Sequence, residues 1–472
     1  MISARRQAGL FDAMSTLYIE DYGKLDWESW MKKIDQLLDD ETMVEIVRLR
    51  LQERRPKSRT RGREGTPAEV VLRMLTLKHM KNWSFETLER EVRANLVYRD
   101  FTRIGDGKVP DSKTMIKIRQ ALGSEALEKI NQRLVEISIE SKITRGRKMR
   151  VDTTAVETDV HYPTDSSLLE DGIRAITRKV EKINKELGNH GLKVRNRLRS
   201  TKRRAIEIAR SARARGEEFK EKKEKSYRKL LTTAKQVIRD AKKVVEHAEQ
   251  KMKTRTASAK RSVVARLVDG LKGVTGLTEK VVKQTKARIV DGDTHYEGKI
   301  VSVFQPETEL IRRGKASKPN EFGKMVKIQE AENQIITSYE VYDKKPADSA
   351  LLIPSIEEHK ETFGKVPHLV AADAGFYSSE GISKATEAGV SRVCVPNKKT
   401  GSKRTRKAQK EPWFRRGQRW RVGCEGRISV LKRRHGMSRS RYKGTEGVRC
   451  WVGMAVMCDN LISMARMLIA DP

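Results

Sequence analysis

Three acidic residues lie where acids are rare. Asp152 sits inside the β-branched run "MRVDTTAV", Asp373 ends the apolar run "LVAAD", and Glu425 shares residues 397–443 with 18 Lys or Arg and one other acid, Glu411. An ionised carboxylate in an apolar strand is costly unless something positive meets it. By sequence spacing no Lys or Arg is placed to neutralise Asp152 or Asp373, which leaves a distant basic side chain or a divalent cation. Two Asp carboxylates from neighbouring strands suit magnesium, which takes oxygen ligands and keeps several of its waters. Taken singly, each acid also fits the plainer role of a capping or turn residue.

The third acid has company. In "GQRWRVGCEGRISVLKRRHG", Gln418, Arg421, Glu425 and Lys432 fall within about 60° of one another on a helix at ~100° per residue. Cys424, Ile428, Leu431 and His435 form a second stripe roughly 100° around it. Such a helix packs its apolar stripe on a sheet and aims Arg, Glu and Lys along the sheet's edge. A structural salt bridge between Arg421 and Glu425 is the competing reading. Glu157, Asp159 and Asp165 rank below Asp152, because strand alternation turns Asp159 to the opposite face and Asp165 follows a Pro-containing turn.

These residues need a frame. Residues 1–64 are helical in part and end in the basic, Pro- and Gly-punctuated stretch "ERRPKSRTRGREG", a linker. The spacing predicts helices at "TPAEVVLRMLTLKHM", with Thr66 as cap and Glu69 closing a capping box, at "WSFETLEREVRANLVYRDF", and at "PDSKTMIKIRQALGSEALEKINQRLVE", where Asp111 or Ser112 caps. Short helices in this order fit a helix-turn-helix kind of DNA-binding module or a small structural bundle. Residues 166–290 read as two long antiparallel helices meeting along the stripes from Ile173 to Leu187 and from Leu230 to Met252. Between them, residues 196–228 hold 13 Lys or Arg against 5 acids and little apolar material. That arm is either a solvated coiled-coil face or a surface lying along phosphates. Strand patterns return at "KIVSVFQP", "KMVKIQEAE", "IITSYEVYD", "HLVAAD" and "SRVCVPN", with "SALLIPSIEEHKETFG" helical. The expected fold class is α/β: a mixed sheet interrupted by a long helical insertion, behind an all-α N-terminal domain.

Composition narrows the partners. Lys and Arg number 100 against 63 acids, for a formal net charge of +37 and a pI near 10.1, and the excess sits in blocks. A polyanionic partner explains such a charge better than a merely solvated surface does. Cys394, Cys424, Cys450 and Cys458 lack paired metal-site spacing and read as reduced core thiols of a cytosolic protein. The N-terminus has no stretch apolar enough for a signal peptide. "WVGMAVMCDNLISMARMLIA" is interrupted by Asp459, Asn460 and Arg466, so a packing helix is expected there and no membrane partner.

Taken together, the motifs resemble the insertion-sequence transposases of the DDE type, most closely their ISNCY group. The resemblance rests on "VDTT" at Asp152 with "HYPTDSSLL" after it, on "ADAGF" at Asp373, and on a helix signature of Tyr, Arg, Glu and Lys spaced by two, three and six residues. Arg421, Glu425 and Lys432 match that signature, while Gln418 stands where the family has Tyr. The similarity covers roughly residues 66–165 and 290–465. It implies an RNase H-like core, split as 145–165 and 290–440, with a basic helical insertion at 166–289. It also implies an N-terminal helical extension at 1–60, a helical DNA-binding domain at 61–140 and a C-terminal packing helix at 441–472.

For chemistry, the resemblance implies two magnesium ions, replaceable by manganese, held by Asp152, Asp373 and Glu425 roughly 3.5 to 4 Å apart. Arg421 and Lys432, joined by Arg427, Arg433 and Arg434, would bind DNA phosphates. The implied reaction is cleavage at terminal inverted repeats and transfer of the 3′-hydroxyl ends to target DNA, by a dimer or larger assembly in the nucleoid. An inactive DNA-binding descendant and an RNase H-like nuclease are the two rival readings.

Overall fold

The computed structural model describes residues 2–6, 29–53, 65–212, 216–254, 258–312, 320–398 and 400–470; most of the linker expected before residue 65 lies outside them. The chain divides into two compact units, one made of Met1–Asp159 with Ile311–Pro472 and the other of Val160–Leu310.

The first unit opens with helices α1 (Ser29–Leu37), α2 (Glu41–Glu53), α3 (Ala68–Met80), α4 (Phe85–Ala94), α5 (Leu96–Phe101) and α6 (Ser112–Glu140). The capping box expected at Thr66 does not form: α3 starts behind Pro67 with no side-chain cap. Glu69 is buried and its carboxylate instead accepts the Arg6 N–H at 2.5 Å and pairs with Arg5 at 3.6 Å. The expected second helix is two, because the Asn95 side chain accepts the N–H groups of Val97 and Tyr98 and starts a new helix there. Asp111 caps α6 by accepting the Thr114 N–H at 2.8 Å, and α6 kinks at Gly123, whose φ of 72° few other residues tolerate. Removing that cap in Asp111→Ala is expected to lower stability, measurable as a lower urea midpoint at unchanged slope.

Among the described residues six strands form: β1 (Lys148–Glu157), β2 (Glu309–Arg312), β3 (Asn320–Glu330), β4 (Ile336–Val341), β5 (Leu369–Ala372) and β6 (Arg392–Cys394). The sheet runs β2-β3-β1-β5-β6, with β4 also paired to β3. It is mixed, as expected: β1 is antiparallel to β3 and parallel to β5, which is parallel to β6. The run "KIVSVFQP" is not a strand. The Gln284 amide pairs with both backbone groups of Ile300, at 3.0 and 2.9 Å, and so replaces a neighbouring strand, while Ile300 and Val303 enter the core of the second unit.

The second unit holds α7 (Asp165–Leu187), α8 (Leu198–Ser211), α9 (Glu217–Thr254) and α10 (Ser258–Ile289). Four helices replace the two expected. The stripe Thr201, Ala205, Ile208 and Ser211 is short and polar enough to be overlooked among arginines, yet it is buried, with Ile208 and Tyr227 in the core. The motif "HYPTDSSLL" starts α7: Thr164 and Ser167 form its capping box, and Asp165 pairs with Arg288 at 2.7 Å.

The first unit closes with α11 (Leu352–Phe363), α12 (Ser379–Glu387), α13 (Lys403–Ala408), α14 (Pro412–Arg434) and α15 (Gly444–Ala470). By length and composition α15 could cross a membrane, but it is mostly buried and packs against α1, α3, α6 and β4. All four cysteines are free and buried.

Candidate active site

The first two acids meet through strand register. Val151 pairs with Ala372 across the parallel β1 and β5, so the next residues, Asp152 within β1 and Asp373 just past the end of β5, stand side by side. Helix α14 packs across β1, β5 and β6 and brings Glu425 to this edge. Its apolar stripe lies inward as the spacing predicts: Cys424, Ile428 and Leu431 join Val156, Val326 and Ile328 in one cluster, and His435 is buried.

Asp152 is held on two sides. Its Oδ1 accepts the Thr153 N–H at 2.7 Å, and the Arg421 guanidinium lies 4.0 Å from its Oδ2 and 2.9 Å from Glu425. Burial pushes the Asp152 carboxyl up to about 6; the Thr153 N–H and Arg421 oppose that rise, and the negative charges of Asp373 and Glu425 add to it. Asp152 therefore feels the charges of both other acids. Their exposures differ: the Asp152 side chain is 17% exposed and that of Glu425 57%.

Among the described residues no three His, Cys, Asp or Glu side chains are drawn together as a closed metal cage. The positive charge of Arg421 lies between Asp152 and Glu425. The salt bridge between Arg421 and Glu425 that competed with a phosphate-binding role is thus present. Its arginine is 11% exposed, however, and the buried Nε has no hydrogen-bond partner among the described residues.

Arg427 does not belong with the phosphate-binding candidates. Three residues after Cys424 and four before Leu431, it lies on the buried stripe, and its guanidinium pairs with the buried Asp459 of α15 at 2.9 and 3.0 Å. An acid in the middle of the apolar run 451–470, Asp459, was the signal for that partner. Arg433 and Arg434 are exposed and Lys432 is half-buried. Of the lower-ranked acids, Glu157 pairs with Arg439 at 3.1 Å and Asp165 with Arg288.

Two further residues escaped sequence reasoning. Arg150 shares the Asp152 face of β1, two residues before it, yet its charge goes to the buried Glu330 of β3, and its Nη1 donates to the Trp420 carbonyl at 2.5 Å. It fastens β1, β3 and α14 together. Asp348 accepts the Thr153 hydroxyl at 3.1 Å and stands against Gly375, supporting the turn after Asp373.

Two stretches of the chain are similar to known transposase domains. Residues 23–121 match the family model described as Transposase domain (DUF772), and residues 384–465, which include Glu425, match the one described as Transposase DDE domain. A Rhizobium meliloti protein described as uncharacterized, ORF8 in the nfe locus, is 26% identical over 161 residues, 33% of this chain and 74% of its own length. No solved structure matches the chain.

Proposed function

We propose, from the premise that the chain is an insertion-sequence transposase of the DDE type, that it binds the terminal inverted repeats of its element, cuts at the element ends and joins the 3′-hydroxyl ends to target DNA. The observation that carries this is the register placing Asp152 beside Asp373 under the helix that bears Glu425. The mixed sheet supports an RNase H-like core, and "HYPTDSSLL" supports the ISNCY placement.

A divalent cation fits these residues. All three offer carboxylate oxygens, the donors magnesium takes, and Arg421 already sits as a positive charge between two of them. Asp152, Asp373 and Glu425 would hold two such ions, magnesium or manganese. When bound, the metal lowers the pKa of a water or hydroxyl and stabilises charge on phosphate oxygens. The chain's own part is positioning. Two acids on a rigid sheet edge keep their spacing better than loop residues would, and Arg421 and Lys432 orient the phosphates flanking the scissile bond. With DNA bound, a phosphate would compete with Glu425 for the Arg421 guanidinium, which suits a fork of donors.

Recognition of the ends is assigned to α3 through α6, and backbone contact to the α8 and α9 surface and to Arg433 and Arg434. Two DNA ends must be held together, so the working form is a dimer or larger, in the cytoplasm on the nucleoid. Arg199, Lys202, Arg210 and Lys222 are exposed along the arm. Replacing all four by Gln flattens the slope of log affinity against log salt by about 0.9 for each phosphate no longer neutralised, with little change in preference for the cognate end. An unchanged slope would assign these charges to solvent alone.

The reading is tested with a plasmid carrying the gene and its natural flanks, incubated with the purified chain in magnesium. Nicks mapping to inverted repeats on both sides, followed by joining to a second plasmid, are the expected result. Cleavage without joining would favour the nuclease reading, and binding without cleavage the inactive descendant.

A further inference from the structure

We infer that Gln418 is a positioning residue that sets the distance between the two halves of the acidic site. The inference deepens the transposase reading and rests on it. Gln418 occupies the place of the family's Tyr, and its side chain points at the sheet. Its Nε2 donates to the Cys394 carbonyl at 2.7 Å and to the Ala372 carbonyl at 3.3 Å. Those carbonyls end the adjacent strands β6 and β5, and Ala372 directly precedes Asp373. On the helix side, Gln418 is one turn before Arg421 and two before Glu425, on the same face. One carboxamide thus ties the backbone carrying the second acid to the helix carrying the third.

The approach of α14 is too close for a looser tie. A Cβ on Gly417 would lie 2.7 Å from Cys394 Sγ and 3.1 Å from its Cβ, so the helix rests directly on the end of β6. The Cys394 Sγ also donates to the Phe414 carbonyl at 3.1 Å, one turn back along the helix. At this end of α14, Gln418 is the side chain that converts contact into register. Arg150 fixes the β1 side through the Trp420 carbonyl, so the helix is pinned to each strand that bears an acid. Apolar packing alone tolerates sliding by part of a turn; two amide donors on two carbonyls do not. A carboxylate displaced by about 1 Å no longer shares an ion with its partner, and the loss appears in metal affinity as well as rate.

The test uses the full-length chain with Gln418→Met, which keeps the volume and loses the donors, and Gln418→His, whose ring N–H can reach one carbonyl. Manganese binding to DNA-free protein is followed by electron paramagnetic resonance, beside thermal unfolding, DNA affinity and single-turnover cleavage of the flanked plasmid. The expected result for Gln418→Met is manganese affinity and cleavage rate each down about tenfold, with DNA affinity unchanged within about twofold, and partial recovery of both in Gln418→His. Wild-type manganese binding and cleavage in Gln418→Met would overturn the inference. So would a loss that spreads equally to DNA affinity and melting temperature, which is what a merely structural glutamine would give. If the wild-type chain cuts no DNA, the transposase reading falls, whereas the manganese and melting arms still decide whether Gln418 holds the two acids in place.

Discussion

Asp152→Asn is expected to abolish strand cleavage, by several powers of ten, while DNA affinity stays within about twofold of wild type. Asp373→Asn and Glu425→Gln should do the same, because each carboxylate would serve both ions or fix their spacing. A single-turnover assay on the flanked plasmid in magnesium measures it, and near wild-type cutting by any one variant would remove that residue from the site. Asp152→Asn has a second, opposite effect on the fold. The Asp152 carboxyl is raised from its ordinary 3.8 to about 6, chiefly by burial. A group raised in this way binds more protons in the native state than in the unfolded state, so stability falls as pH rises from the ordinary value through the folded one. The penalty is absent below about pH 4 and complete above about pH 6. Without metal, Asp152→Asn should therefore stabilise the chain near pH 7.5 by up to about 3 kcal/mol, and by almost nothing near pH 3.5. Melting in a chelator at both pH values checks it; a lower melting temperature at neutral pH would mean that the ionised Asp152 is a structural asset.

What could be read from the sequence followed periodicity and cost. Asp152 and Asp373 stood out because a carboxylate in an apolar strand needs a reason, and the stripe of Cys424, Ile428 and Leu431 fixed which face of α14 turns inward. Residues whose partners are remote in sequence were not legible. Arg427 looked like one more cation in a basic tract, and only the fold supplies Asp459 as its partner. Arg150 lay in plain view two residues before Asp152, but its pairing with Glu330 depends on the register of β1 against β3, in which the two stand directly opposite. The run "KIVSVFQP" had strand composition and lost to a side-chain amide that met its backbone first. The second unit is hard to read for a related reason: Ile208 and Tyr227 are too sparse to mark a core among 13 cations, yet they join a cluster whose Leu, Ile and Val come mostly from the neighbouring helices.

Arg421 is where the structural and the chemical readings of the site meet, and a single variant separates them. It pairs with Glu425 one turn away, as a merely stabilising residue would, and an i,i+4 pair with one exposed partner contributes a few tenths of a kcal/mol. It also lies 4.0 Å from Asp152 and, unlike most arginines in surface pairs, is itself nearly buried. A buried guanidinium whose Nε has no partner among the described residues keeps donor capacity that one carboxylate does not use. Arg421→Ala is therefore expected to lower the single-turnover cleavage rate by a hundredfold or more, about 2.7 kcal/mol of transition-state stabilisation, with the melting temperature little changed. The Arg421 charge also holds the Asp152 carboxyl down, so the acid limb of the pH–rate profile should move to higher pH in the same variant. Arg421→Lys should restore the position of that limb and only part of the rate, because an ammonium supplies the charge without the fork. A lowered melting temperature with a normal rate at low temperature would sink the phosphate role. The opposite pattern, with the limb displaced in Arg421→Ala and returned in Arg421→Lys, would show that one arginine both restrains the first acid and orients the phosphate.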